Sequence, residues 1–251
     1  MPRAHRFFLP GYIYHITHRC HNKDFLLRLK VDRKNWTEWL FEAKQRYQLS
    51  ILNYTITSNH IHLLVKETGN NVIPKSLHLI AGSTAQAYNK RKNRKGAYWE
   101  DRYHATAVQD SSHFIRCMAY IDLNMVRAGV VNHPSDWEFG GYHEIRQPKS
   151  RYKIIDHNQL IHSGGQHTTM PIINRIDEEI KTQLQSQGNI DEKKISNSIA
   201  LGDDQFIKKY KMELKSRGHS RKINNEGDIN TLNEPKAAYG ITTNSLPFQN
   251  P

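Results

Sequence analysis

The chain has 251 residues, enough for one large domain or a domain of ~150 residues with an appendage. Lys and Arg number 36 against 24 Asp and Glu, a formal charge of +12, with 37% hydrophobic and 10% aromatic residues. That composition excludes a wholly disordered chain; no apolar run approaches the roughly 18 residues of a membrane span, and two cysteines, Cys20 and Cys117, exclude a disulfide scaffold.

Residues 1–12 hold no apolar signal core, so the expected setting is a reducing cytoplasm, without export or membrane contact. The Pro10-Gly11 turn leads into Tyr12 to Thr17, rich in β-formers and predicted as the first strand. Trp36, Leu40, Ala43 and Tyr47 recur at helical spacing, which predicts a helix over 31–47. Ser50 to Ile56 and His60 to Val65 flank Thr57-Ser58-Asn59 and read as a hairpin. Pro74 suits the first position of a second helix, carried by Leu77, Ile80, Thr84 and Ala87 to about Asn89. Ala105 to Val108 is a short strand. Asp110 or Ser111 can cap a third helix, and Gly129 can end it.

The order βαββαβ, followed by a helix, predicts an α+β fold: a ferredoxin-like or RRM-like antiparallel sheet with two helices on one face. The third helix is then free to pack near the other face. Beyond Pro148 a mostly helical extension is expected, with helices over 152–161 and 172–184 and apolar spacing over 195–214 broken by Gly202-Asp203-Asp204. Polar composition makes 223–251 an expected disordered tail. The predicted units are therefore 1–148, 149–222 and 223–251.

The sharpest local feature is Asn59-His60-Ile61-His62-Leu63-Leu64-Val65. On a strand His60 and His62 share one face, with Ile61, Leu63 and Val65 on the other. Two neutral imidazoles on one face can begin a divalent metal site. They can equally be ordinary strand histidines in a chain holding 15. A zinc β-lactamase-like pattern needs Asp-His downstream, where Leu63-Leu64 stand, and a histidine triad needs His where Leu64 stands. A zincin needs the pair on a helix. A further ligand must come from elsewhere.

On the third helix Tyr120 and Asn124 lie one turn apart on one face, bracketed by Arg116 and Arg127. A phenolate can attack phosphorus as a covalent nucleophile, and guanidinium groups bind phosphate. A partly buried structural tyrosine fits the same spacing. His15, His18 and His21 match no metal-ligand spacing and are read as core or surface residues.

These segments together resemble the HUH single-tyrosine transposases of the IS200 type, and most closely the REP-associated tyrosine transposases. The resemblance rests on Phe8-Leu9-Pro10-Gly11, Tyr14-His15-Ile16-Thr17, the Asn59 to Val65 run, Trp99-Glu100-Asp101-Arg102-Tyr103 and Tyr120 to Gly129, in the family's order and spacing. Met125 stands where relatives usually carry proline, and Gly140-Gly141 where serine is frequent. The resemblance implies that the helix after the last strand is catalytic and that Tyr120 is the nucleophile. It implies that His60, His62 and Asn124 bind Mg²⁺ or Mn²⁺. The implied activity is metal-dependent nicking and rejoining of single-stranded DNA at hairpin-forming repeats, through a 5′-phosphotyrosine. The chain is then expected to act as a monomer or homodimer.

The positive charge agrees with a polyanionic partner. Lys90, Arg91, Lys92, Arg94 and Lys95 crowd into six positions beside Tyr88, Tyr98 and Trp99, a pattern that suits single-stranded DNA and also an ordinary solvated loop. Arg102, Arg116 and Arg127 complete the expected DNA contacts, and the stretch 208–222 is a further basic candidate. Two other readings remain: an inactive transposase relative acting as a DNA-binding regulator, and an RNA- or single-strand-binding module. Against the module, no RNP-type Gly-Phe pattern is present.

Overall fold

The computed structural model describes residues 7–110, 112–185, 198–215, 221–226 and 229–233. The predicted order is present at its centre: β1 (Ile13–Arg19), α1 (Lys30–Tyr47), β2 (Ser50–Ile56), β3 (His60–Lys66), α2 (Val72–Arg91), β4 (His104–Val108) and α3 (Ser112–Asp122). These strands lie in the order β2-β3-β1-β4, all antiparallel, which is the ferredoxin-like arrangement. β1 is central, bonded to β3 on one side and β4 on the other.

The two sheet faces carry different helices. Tyr54 of β2 meets Trp36 of α1, with ring centroids 6.3 Å apart. Its neighbour Asn53 points the opposite way and donates to Asp122 Oδ1 of α3 at 2.9 Å. So α1, packed on α2, covers the apolar face of Leu63 and Ile61, and α3 covers the face of His60 and His62. Asp32 in the first turn of α1 pairs with Arg91 in the last turn of α2 and ties the two helices together.

Helix α2 begins at Val72, so Pro74 is its third residue rather than its first. The buried Glu67 carboxylate caps that end, accepting from Gly69, Val72 and Ile73 backbone N–H groups at 2.8, 3.2 and 3.1 Å. The predicted third helix is two: α3 stops at Asp122, and α4 (Asn124–Arg127) follows after Leu123, whose ψ of −3° opens the joint. Gly129 ends α4 with φ +66°, as a C-terminal glycine can. Ser111, one proposed cap, lies outside the described residues.

After α5 (Tyr142–Arg146), residues 152–156 are not helical, since Tyr152 takes a left-handed φ of +53°. Helix α6 (His157–Ser163) starts only after Asp156, whose side chain accepts from Gln159 N. Helices α7 (Thr169–Gln185) and α8 (Asp204–Glu213) make the described extension mostly helical. The extension also continues the sheet. β5 (Ala200–Gly202) pairs parallel to β4, and the hairpin β6 (Lys222–Glu226) and β7 (Ile229–Asn233) adds two more strands. Residues 222–226 and 229–233 therefore correct the expected tail: their polar composition disguises backbone pairing, of β7 to β5 and of β6 to β7. Residues 186–197, 216–220 and 234–251, with parts of the expected helix, basic stretch and tail, lie outside the described residues.

Gly140-Gly141 has a packing reason. Gly140 bridges to Thr55, and a Cβ on Gly141 would sit 2.4 Å from Asn53 Oδ1. Asn53 is fully buried and bonded to Asp122, so it cannot retreat freely. Gly141→Ala is expected to lower stability by about 1–3 kcal/mol through overpacking, read from urea unfolding. An unchanged midpoint would show that the strand yields.

Candidate active site

The β2–β3 turn sets the register of the histidine pair. Thr57 N donates to His60 O at 2.9 Å, so β3 begins at His60. His60 Nδ1 donates to Asn59 Oδ1 at 2.7 Å, which leaves Nε2 with its lone pair. His62 is 3% exposed, and its ring meets that of His60 edge-on at 4.8 Å. Asn124 Nδ2 donates to His62 Nε2 at 2.8 Å. The His62 proton is therefore on Nδ1, which lies 2.9 Å from His15 Nε2. Burial lowers both imidazole pKa values: His60 falls to about 4, with the Arg19 charge adding, and His62 well below its ordinary value. Both are neutral near pH 7 and keep lone pairs for a cation.

Helix α3 brings Tyr120 down on this pair. Its side chain is buried, with the ring edge-on to His62 at 5.5 Å and to His15 at 5.8 Å. The Arg127 guanidinium lies 4.8 Å from the Tyr120 ring centroid and donates to Tyr120 O at 3.0 Å. Tyr120, Asn124, His60 and His62 open on one cavity of about 560 Å³, with Arg102 and Arg127 in its wall. Thr17 and Arg19 of β1, His104 of β4 and the acidic pair Glu100 and Asp101 complete it. His18 anchors the Glu100-Asp101 wall, stacking on Trp99 at 4.0 Å and bonding Asp101 O at 2.8 Å. Among the described residues no group of three or more His, Cys, Asp or Glu is arranged to hold a metal. A cation here would draw on the two imidazoles and the Asn124 amide oxygen, a donor set that leaves positions for water and phosphate oxygens.

Residues 9–124 match the sequence profile of the family described as "Transposase IS200 like", a span that ends on Asn124 and takes in both histidines and Tyr120. Residues 9–124 belong to the IS200-like transposase family. A Haemophilus influenzae protein named as a REP-associated tyrosine transposase is 24% identical to the chain over 124 aligned positions, which span 43% of this chain and 70% of that one. A solved REP-associated tyrosine transposase bound to a REP hairpin shares the fold of the transposase segment. Its TM-score is 0.50 at 17% identity, covering 61% of this chain and 90% of that one.

The transposase cavity gathers some of the expected DNA contacts and leaves others apart. Arg102 and Arg127 line it; Arg116, half-buried on α3, does not, and neither do Lys90, Arg91, Lys92, Arg94 or Lys95. Arg91 is engaged by Asp32, and Arg94 donates to Asn89 Oδ1 at 3.1 Å and Ala97 O at 2.8 Å. Lys90, Lys92 and Lys95 are exposed. Tyr98 is buried against Tyr88 and Trp99, and Trp99 donates to Ala81 O, so neither ring is a free stacking platform. Local spacing gives His15 only a core or surface role and does not decide whether Arg19 is structural or DNA-facing. With Thr17 they form an alternate stripe on β1, and the register Thr17↔His62 and Arg19↔His60 lays that stripe beside the histidine pair.

Behind the transposase helix sits a buried acid. Asp122 accepts from Asn53, and Arg146 is 3.9 Å away. Burial raises its carboxyl to about 6, against the lowering by Arg146 and Asn53. The folded state thus holds a proton that the unfolded chain has released between about pH 4 and 6, and stability falls as pH rises through that window. Asp122→Asn keeps an acceptor for Asn53. It is expected to raise stability at pH 7 by on the order of 3 kcal/mol and change little at pH 4, read from urea unfolding at both pH values.

Proposed function

We propose that the chain nicks and rejoins single-stranded DNA by transesterification, through a 5′-phosphotyrosine on Tyr120. The observation that carries this reading is the meeting of Tyr120 and Asn124 with His60 and His62 in one arginine-walled cavity. The Tyr120 oxygen forms the new bond to phosphorus as the P–O3′ bond breaks. The phenolic proton is lost and the departing 3′ oxygen takes one up. Arg102, Arg127 and Arg19 bind the phosphates and set the scissile one in line with Tyr120. His60, His62 and Asn124 would hold Mg²⁺ or Mn²⁺. When bound, the cation would supply charge that polarises a non-bridging phosphate oxygen and favours the phenolate. Rejoining reverses the exchange with a second 3′-OH, and needs no added energy because the phosphotyrosine keeps the phosphodiester bond energy.

Tyr120 and Asn124 meet His60 and His62 within one chain, which is compatible with action as a monomer or as a homodimer. The solved relative was bound to a REP hairpin, and we extend that substrate class to this chain: palindromic repeats folded as single-strand hairpins. The exposed Lys90, Lys92 and Lys95 are assigned to the flanking backbone.

The test is covalent capture. Labelled single strands from palindromes flanking the gene are incubated with the protein and Mg²⁺ or Mn²⁺, then denatured. A protein–DNA band that chelator abolishes supports the proposal. Tight, salt-sensitive binding without any band across several such strands would replace it with a DNA-binding regulator.

A further inference from the structure

We propose that His15 is a positioning residue for His62, holding it in the one tautomer that can ligate a cation; this rests on the metal-dependent reading above. His62 has two ring nitrogens and two partners. Asn124 Nδ2 occupies the Nε2 side at 2.8 Å, in the cavity. His15 Nε2 occupies the Nδ1 side at 2.9 Å, away from it. A neutral imidazole carries one proton, and only an unprotonated Nε2 offers a lone pair toward Asn124 and the cavity. His15 fixes the choice by accepting the Nδ1 proton, which in turn requires the His15 proton on its own Nδ1.

The arrangement is built rather than incidental. His15 is 1% exposed, so water does not compete for the bond. Its ring is parallel to His62 within 5°, at a centroid separation of 5.1 Å, and both rings lie in the plane the shared proton needs. The strand pairing supplies the contact: Thr17 is opposite His62, which puts His15 diagonally beside it on the same face. His15 also meets the Tyr120 ring edge-on at 5.8 Å, so the same side chain limits the approach of the nucleophile helix. His60 obtains the same tautomer by another route, from Asn59 Oδ1 at 2.7 Å. The two histidines thus have separate partners on their outer nitrogens, and a histidine ligand commonly depends on such a partner for affinity.

The experiment measures Mn²⁺ binding by calorimetry on the full chain without DNA, for wild type, His15→Phe, His15→Gln and His62→Ala. His15→Phe is expected to weaken Mn²⁺ binding by about 10–100-fold. His15→Gln, whose amide oxygen can accept at the place of Nε2, is expected to restore most of it. Ring ¹⁵N shifts of the metal-free wild type are expected to show His62 protonated on Nδ1. A wild type with His62 protonated on Nε2 overturns the proposal without any variant having to fold. So does wild-type Mn²⁺ affinity in His15→Phe while His62→Ala loses it, and in that case the metal reading stands. If wild type itself binds no Mn²⁺, the metal reading fails and the proposal falls with it.

Discussion

Tyr120→Phe is expected to abolish the covalent protein–DNA band, a fall of on the order of 10⁴-fold or more in the rate of capture. The change removes one oxygen, the atom proposed to bond phosphorus, and leaves the ring. The ring contacts are the ones that place α3: edge-on to His62 and His15, with Arg127 against the other side. The loss of one buried hydroxyl costs about 1 kcal/mol of stability, so the variant should fold and still bind hairpin DNA. Denaturing gels would measure the band and filter binding the affinity. Capture that persists in the variant would transfer the nucleophile to another residue.

His62→Ala is expected to lower capture by on the order of 10³-fold, the scale of several kcal/mol that a cation contributes to developing charge. His62 is the hinge of the polar cluster, bonded to His15 on one nitrogen and Asn124 on the other. Its loss removes a cation donor and frees the Asn124 amide together. The arginines of the wall are untouched, so hairpin affinity should change by less than about threefold. Equal cleavage by wild type and variant, across Mg²⁺ and Mn²⁺, would show that the histidines are structural.

The sequence made the proposed site legible where its signals are local. Alternation alone puts His60 and His62 on one strand face; a spacing of four points Tyr120 and Asn124 the same way, and both reach the cavity although α3 ends between them and Asn124 opens α4. What joins the two pairs is α3 crossing the sheet, and the order of elements left that face open for it. The long-range pairings were not legible. His15 reaches His62 only through the β1–β3 register, and nothing near residue 15 encodes that. Arg91 looks like a free cation in a basic run, yet its partner Asp32 lies 59 residues away. β5 has three residues, and β6 reads Lys-Ile-Asn-Asn-Glu, too short and too polar to announce strands.

The parallel pairing of β4 with β5 has a consequence for how the chain can be divided. β4 forms one wall of the cavity, and β5 takes up its outer row of backbone groups at Ala107 and Val108. Ser198 O further accepts from Thr106 Oγ1 at 2.5 Å and bonds His104 Nε2 at 2.9 Å. A chain cut at residue 148 would keep every residue proposed for chemistry and still bare that row to solvent. Unpaired strand edges recruit other strands, so the shortened protein would stick to copies of itself before it met DNA. The extension is thus the selvedge of the sheet beneath the proposed site: none of the residues proposed for chemistry lies in it, and without it the weave that holds them would unravel into its neighbours.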